Sequence, residues 1–110
     1  MAKHQYIQFN KMPFQKLNEQ IERKMAVGKE AMVLEHRAKK GFVSQKNETH
    51  INEQFTYVLE GKLQVETGGE VLILEAGDMI IIPPNQPHTL TVLEDIRILD
   101  VFSPIRKEWL

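Results

Sequence analysis

Cysteine is absent from the 110 residues of this chain. Its absence excludes a disulfide framework, a thiolate metal site and a cysteine nucleophile, so any metal ligands must be nitrogen or oxygen atoms. Net charge is also small: the formal value is −1 at pH 7, and the basic residues are scattered rather than striped. A nucleic-acid surface needs a basic patch, so we expect an acidic small molecule or a protein as the partner, and no nucleic acid.

Long apolar runs are also lacking. The longest uninterrupted one, 79–84, is far too short to cross a bilayer, and the amino terminus has no apolar stretch of the secretory kind. We therefore expect a cytoplasmic protein that does not insert into a membrane. A chain of this length buries roughly 60–70% of its unfolded surface as one domain, so residues 1–110 are predicted to form a single domain.

Alternation of apolar and polar residues dominates the chain and predicts many short strands. The predicted strands cover 31–37, 55–59, 62–66, 70–74, 79–82, 88–93 and 96–102. Turn residues separate them: Glu60-Gly61-Lys62 is predicted as a tight hairpin and Thr67-Gly68-Gly69 as the next reversal. Only a turn near 16–20 and a short helix over 104–110, which begins with proline, are predicted to be helical. The pattern favours an all-β sandwich or barrel.

Two segments resemble the two sequence motifs of the cupin superfamily. The first motif is matched by Gly41, Glu48, His50, Gln54 and Gly61, and the second by Gly77, Pro83, Asn85 and His88. In the first match one extra residue follows Gly41, and Glu48 stands where the first histidine of the motif usually stands. The resemblance covers about residues 29–110 and implies a double-stranded β-helix, or jelly-roll, barrel that is often dimeric.

The carboxyl-terminal segment 99–110 narrows this resemblance. It is similar to the ending of small bacterial cupins of pectin degradation, which convert 4,5-unsaturated uronate monosaccharides into their linear keto form. In that group the residues that match Asp100 and Arg106 lie at the pocket, and a glutamine, here Gln54, often completes the metal site. The resemblance implies an isomerase that acts on a small sugar acid.

Strand periodicity brings the candidate metal ligands together. Glu48 and His50 point the same way, and Gln54 and Thr56 share one face of the following strand. With His88 they offer imidazole, carboxylate and amide donors, which suit a divalent transition metal such as Mn, Fe, Co, Ni or Zn. We therefore predict a metal site formed by Glu48, His50, Gln54 and His88.

The hypothesis for the chemistry gives the metal a Lewis-acid role and makes Asp100 the general acid or base. Arg106 is expected to clamp the carboxylate of the substrate through paired hydrogen bonds. The substrate pocket is predicted to include Tyr57, Thr56 and Phe102 with Arg106. His36, on an apolar strand, is interpreted as a core or interface histidine.

Two other functions stay open at this point. A non-catalytic cupin that binds a small acid, as a sensor or regulatory partner, is favoured by the absence of the first motif histidine. A metal-dependent dioxygenase is compatible with two histidines and one carboxylate, the ligand set of non-haem iron oxygenases. For the assembly, the alternating segment 21–27 within an amino-terminal arm, 1–28, would leave a sheet edge exposed, so we expect a homodimer.

Overall fold

A computed structural model of the protein describes residues 3–110. Met1 and Ala2, which belong to the predicted domain and to its amino-terminal arm, lie outside the described residues. Within the described residues the strands are β1 (Gln15–Lys16), β2 (Ile21–Val27), β3 (Met32–Ala38), β4 (Glu53–Thr67), β5 (Glu70–Glu75), β6 (Met79–Ile82) and β7 (His88–Ser103). Short 3-10 turns cover Phe9–Lys11 and Lys107–Trp109. The all-β prediction is confirmed. No helix within residues 3–110 is long and apolar enough to span a membrane.

Two long strands, β4 and β7, form the spine of the fold. They pair antiparallel along their length, from Glu53 opposite Ser103 to Thr67 opposite His88. On the far side of β7 lies β3, followed by β2 and β1, whereas β5 and β6 pair with the two halves of β4. A long antiparallel ribbon with shorter strands on both flanks gives the double-stranded β-helix barrel that the resemblance implied.

Gly61 marks a bend in this spine and not the predicted hairpin. β4 runs through the position without reversing, and its register against β7 shifts between Val58 and Leu63. The φ angle of Gly61 is 92°, and a Cβ atom there would lie 2.2 Å from the carbonyl oxygen of Asp95. Only glycine permits this close crossing of the two strands. The predicted strands 55–59 and 62–66 are therefore one strand, as are 88–93 and 96–102.

The two predicted helical segments differ from expectation as well. The short carboxyl-terminal helix over 104–110 is only a 3-10 turn, Lys107–Trp109, because the segment is too short to form a stable helix and packs Trp109 against the barrel instead. Near 16–20 the chain makes a non-helical bend. There Asn18 Oδ1 accepts hydrogen bonds from the backbone of Gln20 and Ile21, an arrangement that favours turns over helix.

A layer of polar side chains divides the interior of the barrel. On β3 the inward residue His36 lies between Leu34 and Ala38, which belong to two different apolar clusters. On β7 Asp100 similarly lies between Ile98 and Phe102. Further buried polar side chains near this level are Gln54, Thr56 and His88. Because burying polar groups costs free energy unless they are paired, this layer is the place to look for a functional site.

Candidate functional site

A chain of hydrogen bonds crosses the polar layer from Gln54 to His36, and His50 lies against its Gln54 end. His50 Nε2 lies 3.0 Å from Gln54 Oε1, and Gln54 Nε2 donates to Thr56 Oγ1 at 2.9 Å. Thr56 donates in turn to Asp100 Oδ1 at 2.5 Å. The other carboxylate oxygen, Asp100 Oδ2, lies 2.7 Å from His36 Nδ1. Residues from three strands therefore form a single hydrogen-bond network, and the loop residue His50 lies at its end.

Strand register explains why these side chains meet. Thr56 of β4 lies directly opposite Asp100 of β7, and Gln54 follows on the same face of β4 two residues away. On the other side of β7, His36 of β3 pairs with Ile98, one inward position from Asp100. Because inward positions recur every second residue, all four side chains are directed into the barrel and are buried.

The hydrogen bonds of this network can run in only one direction if each donor is to meet an acceptor. Thr56 has a single hydroxyl hydrogen, which the carboxylate of Asp100 accepts. Thr56 must therefore accept a hydrogen bond from the amide nitrogen of Gln54. This arrangement turns the amide oxygen of Gln54 toward His50. An oxygen atom able to bind a metal thus faces the histidine end of the network.

His50 and His88 face each other beside Gln54. Their ring centroids are 5.0 Å apart and their planes are inclined at 76°. His50 Nδ1 lies 3.0 Å from the carbonyl oxygen of Asn52, and His88 Nδ1 lies 2.9 Å from that of Gln86. Since a carbonyl only accepts, each contact favours the tautomer with the proton on Nδ1, which leaves the Nε2 lone pair free to bind a metal.

The environment of His50 favours its neutral form. Its pKa lies below the ordinary histidine value, first because burial disfavours the charged ring and second because of the positive charge of Arg106. A neutral ring has one N–H, but His50 faces two oxygen atoms. The N–H on Nδ1 is directed to the carbonyl of Asn52, so the lone pair of Nε2 faces the amide oxygen of Gln54. A divalent transition metal accepts electron pairs from both atoms. The donor set of His50, His88 and Gln54 therefore fits such a metal.

Glu48, the fourth predicted ligand, is engaged elsewhere. Its Oε1 accepts a hydrogen bond from Arg106 Nη2 at 3.0 Å, while its backbone pairs with that of His88. Within residues 3–110 no group of three or more histidine, aspartate and glutamate side chains converges as a metal cluster. The two-histidine, one-carboxylate set of the dioxygenase alternative is therefore not assembled.

Arg106, the predicted carboxylate clamp, already has two acidic partners. Its Nη2 donates to Glu48 and its Nε donates to Glu108 Oε2, both at 3.0 Å. Its guanidinium carbon lies 3.8 Å from the ring centroid of Trp109 and 5.1 Å from that of Phe102. These contacts bury Arg106, and a substrate carboxylate would compete with Glu48 and Glu108 for its N–H donors.

A cavity of about 290 Å³, here called the central cavity, lies beside this network. Of the predicted site residues, those that line it are Glu48, Gln54, His88, Asp100, Phe102 and Arg106. Thr56 is fully buried behind them and contacts Gln54 and Asp100. Tyr57, which was expected to wall the pocket, does not line the cavity. Strand alternation turns it to the opposite face of β4 from Thr56.

Two residues of the site were missed from the sequence. His36, interpreted as a core or interface histidine, bonds to Asp100, and its ring lies 5.8 Å from that of Trp109. Arg23 on β2 also lines the central cavity. Each interrupts the apolar alternation of its strand at an inward position, and that interruption is the signal by which both were recognisable.

The fold and the site define the class of protein: the chain belongs to the cupin family. The cupin-domain family matches residues 34–102, which span β3 to most of β7.

Individual relatives agree with this assignment. The chain is 34% identical over 101 residues to the pectin degradation protein KdgF of Dickeya dadantii (strain 3937), covering 89% of this chain and 91% of that protein. The structure of KdgF from Halomonas sp. superposes with a TM-score of 0.84 at 29% identity, covering 92% of this chain and 95% of that one. An RmlC-like cupin from Shewanella frigidimarina NCIMB 400 superposes with a TM-score of 0.87 at 24% identity, covering 99% and 97%, and supports the fold alone.

Proposed function

We propose that the protein is a metal-dependent isomerase of pectin degradation that converts 4,5-unsaturated uronate monosaccharides into their linear keto form. The observation that carries the proposal is the hydrogen-bond chain from Gln54 through Thr56 to Asp100, which connects a candidate metal ligand with a candidate acid or base beside one cavity. The similarity to KdgF of Dickeya dadantii over nearly the whole chain supports the choice of substrate class.

The reaction is an isomerisation that needs proton transfer at two atoms. The hemiacetal hydroxyl loses its proton, the ring C–O bond breaks, and the resulting enolate gains a proton on carbon. Asp100 takes the first proton and returns one to carbon. Thr56 and His36 each hold one oxygen of its carboxylate, at 2.5 and 2.7 Å, so the group is oriented before substrate binds.

Three side chains would hold the metal: His50 and His88 through Nε2, and Gln54 through its amide oxygen. When bound, Mn, Fe, Co, Ni or Zn supplies a Lewis acid that stabilises negative charge on a substrate oxygen. The carbonyl groups of Asn52 and Gln86 fix the two rings in the orientation that this binding requires. The neutral state of His50, favoured by burial, keeps its lone pair available.

Metal content and turnover measured on the same preparations test the proposal. Plasma mass spectrometry gives the metal per chain, and the loss of ultraviolet absorbance of a 4,5-unsaturated galacturonate gives the rate above a protein-free blank. We expect nearly one metal per chain and turnover in the native protein, and loss of both in His88→Ala. His4→Ala, in the exposed amino-terminal segment, is the matched control and retains both. Metal-loaded native protein without turnover contradicts the isomerase.

A second candidate is a cupin that binds a small sugar acid without converting it. The pairing of Glu48 with Arg106 favours this candidate, because it leaves the two histidines without a third acidic or histidine neighbour in the described residues. Calorimetric binding of D-galacturonate by metal-loaded protein, combined with no turnover of the unsaturated sugar, is the result that distinguishes it.

A further inference from the structure

Arg23 is the charged residue on the inward face of β2. Its neighbours on that face, Ile21 and Met25, pack against the apolar clusters, and Arg23 lines the central cavity together with Ile21. It lies opposite His36 in the adjacent strand, and its guanidinium carbon is 4.3 Å from the ring centroid of Trp109. Arg23 is therefore at the end of the cavity where His36 binds Asp100.

Arg23 lacks a counter-ion among residues 3–110. Its Nε atom is buried and has no hydrogen-bond partner. The nearest carboxylates on β2 and β3 are on the outer face of the sheet, where Glu22 pairs with Arg37 and Glu35 pairs with Lys24. A buried guanidinium donor without an acceptor is unfavourable, which indicates an acceptor that is not among residues 3–110 and that a bound ligand can supply.

The charges around the cavity support the same view. Asp100 is hydrogen-bonded to His36, and Arg106 is paired with two carboxylates, those of Glu48 and Glu108. The pKa of Arg23 is lowered from the ordinary arginine value, first by burial and second by the positive charge of Arg106. Arg23 is therefore the arginine of this cavity that has no carboxylate partner among residues 3–110.

We propose that Arg23, and not Arg106, anchors the carboxylate of the acidic sugar. The planar guanidinium matches a carboxylate with two parallel N–H···O hydrogen bonds, and the unpartnered Nε–H supplies one of them. The inference rests on the proposed function for the identity of the sugar and adds a residue that determines specificity. A neutral sugar leaves the Arg23 donor unpaired, so the cavity discriminates against it.

Two substitutions and one control separate the charge of Arg23 from its shape. Arg23→Met removes the charge but keeps an unbranched stem against Trp109, and Arg23→Lys keeps the charge but loses the paired donors. Arg37→Met is the control, because Arg37 is on the outer face of β3, away from the central cavity. Calorimetry with D-galacturonate and with D-galactose measures binding, and steady-state turnover of the 4,5-unsaturated galacturonate measures KM and kcat.

We expect Arg23→Met to weaken D-galacturonate binding by about 10- to 100-fold, the effect of losing a hydrogen bond to a charged group. KM rises by a similar factor while kcat stays close to that of the native protein, because the carboxylate is bound equally in the ground and transition states. The affinity of Arg23→Lys for D-galacturonate falls between that of Arg23→Met and that of the native protein, and Arg37→Met binds as the native protein does. Native protein binds D-galactose far more weakly than D-galacturonate.

The outcomes distinguish this anchor from the isomerase. Unchanged D-galacturonate binding in Arg23→Met overturns the anchor, and turnover by the native protein then still supports the isomerase. Binding that depends on Arg23 without any turnover supports the anchor and overturns the isomerase. Equal binding of D-galactose and D-galacturonate overturns the anchor. If Arg23→Met does not fold, Arg23→Lys decides the question: a folded variant with weakened binding supports the anchor, and one with native binding overturns it.

Discussion

Arg106 donates a hydrogen bond from Nη2 to Glu48 Oε1 across 3.0 Å and so joins the carboxyl-terminal segment to the loop that leads into β4. The Arg106 side chain is 8% exposed and that of Glu48 is 22% exposed, so water screens the pair only in part. Glu48 stands at the motif position where a histidine is usual, and here it acts as the counter-ion of an arginine. Both residues therefore have a partner within the protein itself.

Glu48→Gln tests whether this residue holds Arg106 or a metal. We expect the free energy of unfolding to fall by about 1–2 kcal/mol, between the values for surface and buried ion pairs. Metal content should stay at the native level, because His50, His88 and Gln54 provide the proposed donors. Urea denaturation and plasma mass spectrometry measure the two quantities.

Glu108→Gln is the matched control for Glu48→Gln, since it removes the other carboxylate of Arg106. Its side chain is 55% exposed, so we expect a smaller loss of stability. Loss of metal in Glu48→Gln alone would show that Glu48 is a ligand, as the sequence motif suggested.

Asp100→Asn removes the proposed acid or base while keeping the size of the side chain. We expect kcat for the 4,5-unsaturated galacturonate to fall by about 100- to 10,000-fold, because an amide cannot accept and return the proton. Asp95→Asn is the control on the same strand, at an exposed position where Asp95 accepts a hydrogen bond from the backbone of Lys40. Turnover retained in Asp100→Asn, with the native metal content, argues that another group moves the proton.

His36 is expected to position Asp100, and two substitutions distinguish this role from simple packing. His36→Leu fills space without a donor, so we expect kcat to fall by about tenfold or more with KM little changed. His36→Asn places an amide N–H near the position of Nδ1, 2.7 Å from Asp100 Oδ2, and should recover part of the loss. Equal kcat values in the two variants at equal stability contradict a role for this hydrogen bond.

The all-β class could be predicted from the sequence because period-two alternation and glycine turns are local signals, whereas the choice of a barrel over a sandwich came from the motif resemblance. The same local signals failed at Gly61, where Glu60-Gly61-Lys62 fits a hairpin as well as it fits a bulge. The pairing partner decides between them, and here it is Asp95 on β7, whose carbonyl oxygen leaves no room for a side chain at Gly61. That contact joins residues far apart in the chain and leaves no trace in the local pattern.

The candidate site was likewise predictable from the sequence only in part. Motif spacing singled out His50, Gln54 and His88, and the structure brings these three together. The partner of Arg106 was beyond sequence reasoning, because Glu48 is 58 positions away and nothing local relates the two. His36 and Arg23 carried a weaker signal, a polar residue at an inward position of an otherwise apolar strand face.

Homodimerisation stays a prediction, and the outer face of the sheet offers a patch on which to test it. Ile81 is 54% exposed and pairs with Phe55 of β4. The same row across the sheet continues with Val101 of β7 and Val33 of β3. We expect Ile81→Lys to convert a dimer into a monomer, as measured by light scattering after size-exclusion chromatography. Ile73→Lys on β5, where Ile73 is 49% exposed, is the control and should leave the mass unchanged. A monomeric native protein contradicts the prediction.

The lowered pKa of His50 makes the stability of the metal-free protein depend on pH. Burial, then the charge of Arg106, disfavours the protonated ring in the folded state, so the unfolded chain binds more protons between the folded pKa and the ordinary value near 6.5. Stability therefore rises with pH through that window and is lost as pH falls. After chelation, we expect the unfolding midpoint of the native protein to drop more between about pH 7.5 and about pH 5.5 than that of His50→Gln. Because the other three histidines are common to both proteins, parallel pH profiles would mean that the folded state does not disfavour protonation of His50.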